Sequence, residues 1–221
     1  MNLYEESVLL KTFKPSKKMK KIILTLAAMA IAVSSFAQIS VGAGYANNAQ
    51  KLESNDPSTT NGFYVEGSYN LPIAGGLSIV PGVRYTFLGS KNAKDAFGGF
   101  VGGQIELAEH YVAVPVMAQY ALDLGSSAKF LIFAGPTFDL GLASNTKASA
   151  TIAGASGSTS KDNYKDTDYL KSNVFVGGGV GLQIGNFQIK GAYDFGLLNR
   201  LDSDNVALKD SQIRAGVAYL F

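Results

Sequence analysis

Six ionisable residues, Glu66, Arg84, Asp139, Lys190, Asp194 and Arg214, fall in the middle of segments that otherwise alternate apolar residues with small or polar ones. Three acids and three bases in such positions can relay protons or ions across an open lumen, or pair with one another and fill it. A charge in a narrow interior is tolerable when paired and hydrogen-bonded and costly otherwise, so their balance predicts a salt-bridge network that plugs the interior, helped by Ser68, Gln119, Gln188 and Gln212. His110 is the sole histidine. Acid–base catalysis needs an orienting group and a reacting group within reach of the base. Only Glu109 lies beside it, so the lone histidine reads as a solvated rim residue and no enzyme activity is expected. The acidic groups Asp202-Ser-Asp204-Asn205 and Asp162, Asp166, Asp168 lack the ordered glycine and distal glutamate of a calcium loop, and read as solvated loop faces that bind no metal. Gly177-Gly-Gly-Val-Gly181 is followed by no helical pattern and so cannot cradle a phosphate. With no cysteine in the chain there is neither thiol chemistry nor a disulfide, and no cofactor is expected.

The elements that must position these residues have period two throughout; no helical period competes. Eight strands are expected: Ile39 to Tyr45, Phe63 to Leu71, Leu77 to Leu88, Tyr111 to Leu122, Lys129 to Leu142, Asn173 to Ile184, Phe187 to Leu198 and Gln212 to Phe221. Three connections are short: Pro72 to Gly76, Asp123 to Ala128, and Gly185-Asn186, the last a two-residue hairpin signal. The others, Ala46 to Gly62, Gly89 to His110, Ala143 to Ser172 and Asn199 to Ser211, are long and polar, and Ser144 to Ser160 reads as a mobile low-complexity loop. Short turns on one rim alternating with long loops on the other are the pattern of a transmembrane up-and-down β-barrel with its short turns on the periplasmic side. The two strand faces agree. Val174, Val176, Val180, Leu182 and Ile184 form a large apolar face, whereas Phe175, Gly177, Gly179, Gly181 and Gln183 hold too little apolar volume for a hydrophobic core. A soluble barrel hides its apolar side and a membrane barrel turns it to lipid, so the greasy face is assigned outward, with Tyr45, Tyr120, Phe187, Phe195, Tyr219 and Phe221 among its interfacial aromatics. Pro81, Pro115 and Pro136 fall inside strands, where bulges or local breaks in the ladder are expected.

The N-terminus reads as an export leader: Lys20-Lys21, an apolar run from Ile22 to Val33, then Ser34 to Ala37, with cleavage between Ala37 and Gln38. Met19 immediately precedes the basic pair and is the expected true start. The apolar run is 12 residues long, against the roughly 20 that a spanning helix needs. Residues 1–37 would thus form an extension and cleavable signal, and 38–221 the barrel. The leader holds six Lys and two Glu, and its removal leaves 13 basic and 15 acidic residues, a net charge of about −2. No basic patch remains for a nucleic acid.

Four phrases carry a family resemblance: the leader ending Ala37-Gln38, Tyr111-Val-Ala-Val-Pro115-Val-Met-Ala-Gln-Tyr120, Lys129-Phe-Leu-Ile-Phe-Ala-Gly135-Pro136, and the terminal Gly216-Val-Ala-Tyr219-Leu-Phe221. Together they resemble the outer-membrane β-barrel domain of Bacteroidetes, PorT-like and often labelled porin family. That resemblance implies a small integral barrel in the outer membrane of a Gram-negative bacterium, and a secretion-linked role as in some relatives. A strand that stops on an aromatic also resembles the signal by which such barrels are handed to their assembly machinery, with Gly216, Tyr219 and Phe221 as its residues. The expected partners are outer-membrane lipid and lipopolysaccharide, the barrel-assembly machinery, and a surface ligand or secretion-system component. The expected function is a non-enzymatic plugged barrel with interacting outer loops; a narrow pore for ions or small solutes and a secretion accessory are the alternatives.

Overall fold

The computed structural model describes residues 38–52, 58–96, 101–125, 127–152, 155–166, 170–200 and 208–221. The leader, Asp202 to Asn205 and Asp168 lie outside them. The strands are β1 (Gln38–Leu52), β2 (Ser58–Ala74), β3 (Leu77–Ala96), β4 (Val101–Gly125), β5 (Ala128–Ile152), β6 (Ala155–Asp162), β7 (Ser172–Ile184), β8 (Phe187–Gly196) and β9 (Leu208–Leu220), with one helical turn, α1 (Asn163–Asp166). All pairings are antiparallel. Eight strands close a ring in the order β1-β2-β3-β4-β5-β7-β8-β9 and back to β1, and β6 adds a ninth on β5. Closure is direct: Gln38 opens β1 beside β9, and the amide of Phe221 donates to the carbonyl of Ile39 at 2.9 Å. No helix among the described residues is long and apolar enough to cross a membrane; strands must do it.

At one rim the turns are tight. Gly75 (φ 57°) and Gly76 (φ 86°) make a two-residue connection whose positive dihedrals suit a hairpin of twisted strands, and Gly185 (φ 57°) with Asn186 makes another. The expected five- and six-residue turns are therefore shorter than the sequence suggested. At the other rim the correction is larger. Most of the polar stretches expected to be loops are strand: β1 and β2 stay paired from Gln50↔Ser58 downward, β3 and β4 up to Ala96↔Val101, and within Ser144 to Ser160, expected as a mobile loop, residues 144–152 and 155–160 are paired strands of β5 and β6. Above the bilayer both strand faces meet water, so the apolar alternation fades while the backbone ladder continues.

Two irregularities matter later. The three prolines interrupt the ladder without changing its register. Pairing skips Tyr69 and Asn70 against Val80 and Pro81, Gly82 and Val83 against Val114 and Pro115, and Val116 and Met117 against Gly135 and Pro136. Because a proline has no N–H to give, these gaps line up as a seam across four adjacent strands, β2 to β5. The bulges lie elsewhere. At His110/Tyr111, β5 carries one extra residue, so its inward-facing positions pass from odd numbers ending at Gly141 to even numbers beginning at Ser144.

Candidate functional site

The interior is polar at two levels. At the lower level Glu66 on β2 and Arg84 on β3 are register partners, and Arg84 Nη1 lies 3.3 Å from Glu66 Oε2. Across the barrel Arg214 Nε donates to Asp194 Oδ2 at 2.9 Å and Nη2 donates to the same oxygen, while the guanidinium sits 5.9 Å from the centre of the Tyr64 ring. Arg84 and Asp194 are each only 1% exposed. Four of the six expected charges thus form two ion pairs. The other two do not join them: Asp139 is buried on β5 and Lys190 half-buried on β8, and neither has an ion-pair partner among the described residues.

The upper level holds charges that sequence reasoning did not place inside. Arg200, 1% exposed, lies with its Nε 3.3 Å from Asp210 Oδ2, and its Nη2 donates to Tyr111 Oη at 3.2 Å. Asn173 Nδ2 donates to the same Asp210 oxygen at 3.4 Å. Glu109 points inward and accepts from Ser144 Oγ at 3.0 Å; Ser144 Oγ in turn accepts from Asn163 Nδ2 at 2.9 Å. Tyr164 of α1 lies beside Tyr111 and Arg200, and burial pushes its phenol above the ordinary range. The chain α1-β4-β9 is therefore tied across the mouth by side chains. The signal for this level was the continuation of the inward parity: Asp210 precedes Gln212 and Arg214 by steps of two, and Glu109 precedes Tyr111 and Ala113.

On the outer face the side chains are large and apolar, including Ile39, Val41, Ile132, Phe138, Val180, Ile189 and Val217, all exposed. Two aromatic belts bound them. Phe187, Tyr219 and Phe221 stack edge to face near the Gly185 turn, with centroids 5.2 and 5.0 Å apart. Higher up stand Phe63 with Phe87 at 5.6 Å and Tyr193 with Phe195 at 4.5 Å. His110 belongs to this upper outer group: its Nδ1 is 2.6 Å from Tyr85 Oη and its ring 5.1 Å from that of Phe87. On β8 the belts are separated by the eight residues from Phe187 to Phe195, about 26 Å of strand. A tilt of about 40° shortens that to about 20 Å, close to the apolar band of an outer-membrane barrel.

The model of a family described as outer membrane protein beta-barrel domain matches residues 30–202. The chain belongs to that family. Like others of its kind, this outer-membrane barrel belongs in the outer membrane of a Gram-negative bacterium. No curated protein matches its sequence. Among solved structures, the Yersinia pestis attachment invasion locus protein Ail, in complex with the heparin analogue sucrose octasulfate, is 17% identical, with 84% of this chain and 99% of that one covered and a TM-score of 0.43. Neisserial surface protein A is 18% identical, with 83% and 97% covered and a TM-score of 0.43. The N-terminal barrel of Pseudomonas aeruginosa OprF is 11% identical, with 83% and 97% covered and a TM-score of 0.36.

The residues expected as an assembly signal also pack at the junction that closes the ring. Gly216 on β9 and Gly44 on β1 face each other in register, and the Tyr64 side chain lies against both. Gln38 opens β1, and Ala37 falls outside the described residues.

Proposed function

We propose that this barrel is a non-enzymatic, plugged outer-membrane scaffold whose outward sheet meets a partner at the cell surface. The observation that carries the reading is the length of three strands. β4 and β5 have 25 residues each and β3 has 20, where about 10 suffice to cross the bilayer. Their surplus, joined by β6, makes a continuous four-stranded sheet beyond the upper aromatic belt, with exposed Ile105 and Ile152 on it. Extending strands this far costs backbone entropy on every residue, which an interaction surface would repay and a simple membrane plug would not. The two levels of ion pairs support the plugged lumen, as does the width of an eight-stranded ring, which side chains fill.

Replacing residues 147–160 by a two-residue Asn-Gly turn tests the reading. The shortened barrel is expected to assemble and keep its heat-modifiable gel mobility, while the partner recovered by pull-down from cross-linked outer membranes with the whole protein is lost. Unchanged recovery would refute the role of this sheet. In planar bilayers the whole barrel is expected to show no steady ohmic conductance, and a stable conductance would favour the pore.

The narrower placement among PorT-like barrels of the Bacteroidetes, with a secretion-linked partner, rests on the phrases around Pro115, Gly135 and Phe221. We further propose that residues 1–37 are a leader removed after Ala37, with translation starting at Met19. Mass spectrometry of the outer-membrane protein should then find Gln38 as the first residue; a mature chain retaining Lys20 would refute it.

A further inference from the structure

A small cavity lies inside the barrel just behind the proline seam. Its volume is about 40 Å³, and it is two-sided. The wall under the seam is mostly apolar, with Val80, Pro115, Met117 and Phe133 beside Ser68 and Gln119; the opposite wall carries Lys190 and Arg214, with the Glu66–Arg84 pair beside them. Three cations thus converge. Glu66 is held by Arg84 and Asp194 by Arg214, and a third carboxylate, Asp139, is buried in the field of the same two arginines. Lys190 alone of the three cations has no carboxylate in contact with it among the described residues; Glu66, which also lines the cavity, is engaged by Arg84. An ammonium in so narrow an interior is costly unless an anion joins it.

Outside the same stretch of wall, on the lipid-facing side, is an open groove of about 360 Å³ between Ile39, Tyr69, Pro81 and Val83, floored by Gly67. Ser68 lines both groove and cavity, so a single strand separates them, and it separates them where Tyr69 and Asn70 lack ladder pairing to Val80 and Pro81. The groove sits in the half of the apolar band nearest the short turns, facing the acyl chains of the periplasmic leaflet.

We propose that this seam is a lateral site for a single-chain amphiphile with a carboxylate head, a long-chain fatty acid, whose chain lies in the outer groove and whose head reaches Lys190 through the gap. Size selects the head. A water needs about 10–15 Å³ of such space, so the cavity takes about three heavy atoms, which is a carboxylate and not a phosphoglycerol. Charge selects its sign, because Lys190 lines the cavity with no carboxylate in contact with it among the described residues. The interrupted ladder selects the place, since the strands are held together least where Pro81 has no N–H to give.

The refolded full barrel in a zwitterionic detergent, titrated with the fluorescent fatty acid cis-parinaric acid, tests this. One saturable site is expected, and palmitate should displace the probe while methyl palmitate should not. Gly67→Leu is the safest block, because a Cβ at Gly67 meets nothing within 4 Å and the side chain would fill the groove without strain; it should abolish saturable binding with gel mobility unchanged. Lys190→Gln should weaken binding at least tenfold while leaving the groove intact. Equal displacement by palmitate and its methyl ester, or binding untouched by both variants, would overturn the site.

Discussion

Arg214→Ala is expected to lower the barrel's unfolding free energy by about 3–5 kcal/mol, the usual penalty for removing one partner of a buried ion pair. The reason is what remains. Asp194 is 1% exposed, and both of its hydrogen bonds from a cation come from Arg214. Without them a carboxylate stands in a narrow interior with no guanidinium against it, and Tyr64 loses the charge above its ring. Urea titration in micelles, followed by far-ultraviolet circular dichroism, measures the loss. The double variant Arg214→Met/Asp194→Leu, which removes both charges and keeps volume, should recover most of it. Equal losses in the single and double variants would mean that packing, not pairing, is what Arg214 supplies.

Gly216→Val should be nearly as damaging, and for a different reason. A Cβ placed there would stand 2.5 Å from the Ala43 carbonyl oxygen and 2.8 Å from Gly44 Cα, and would collide with the Tyr64 hydroxyl. The tyrosine could swing away, but the backbone of β1 cannot, because Gly44 and Gly216 are register partners in the junction that closes the ring. Overpacking of this kind costs about 1–3 kcal/mol or more. The discriminating measurement is refolding into detergent micelles with no assembly machinery present. A glycine acting only as part of a recognition signal would leave that refolding unaltered, whereas a glycine that lets two strands and a ring meet should reduce the heat-modifiable fraction. Phe221→Ala is the contrast: with Phe221 72% exposed, micelle refolding should survive it.

The number of strands in the ring, their antiparallel order and their two faces were legible because lipid enforces the alternation residue by residue between the aromatic belts. Glu66, Arg84, Asp194 and Arg214 could be assigned inward from parity alone. Their partners could not: Glu66 meets Arg84 across one ladder, but Asp194 reaches Arg214 on a diagonal, since its register partner is Gln212, and Asp139 and Lys190 stand apart at different levels. Where lipid ends, legibility ends with it. Arg200, Asp210 and the inward side of Glu109 were missed because strands were stopped at the last greasy residue, although Asp210, Gln212 and Arg214 keep the same step of two. The prolines were read correctly as faults in the ladder, yet nothing local to any one of them shows that the three faults align; that depends on the register of four strands at once.

The extra residue in β5 opposite His110 and Tyr111 has a consequence for how the outer sheet could evolve. Below it the odd residues look inward and above it the even ones do, so the bulge works as a phase shifter. Deleting Ala143 would close it: Leu142 would come opposite His110, Ser144 would stay opposite Glu109, and no side chain of the β5–β6 hairpin would change sides. Elsewhere in the strand a one-residue deletion has no bulge to absorb it and would turn every side chain beyond it to the other face.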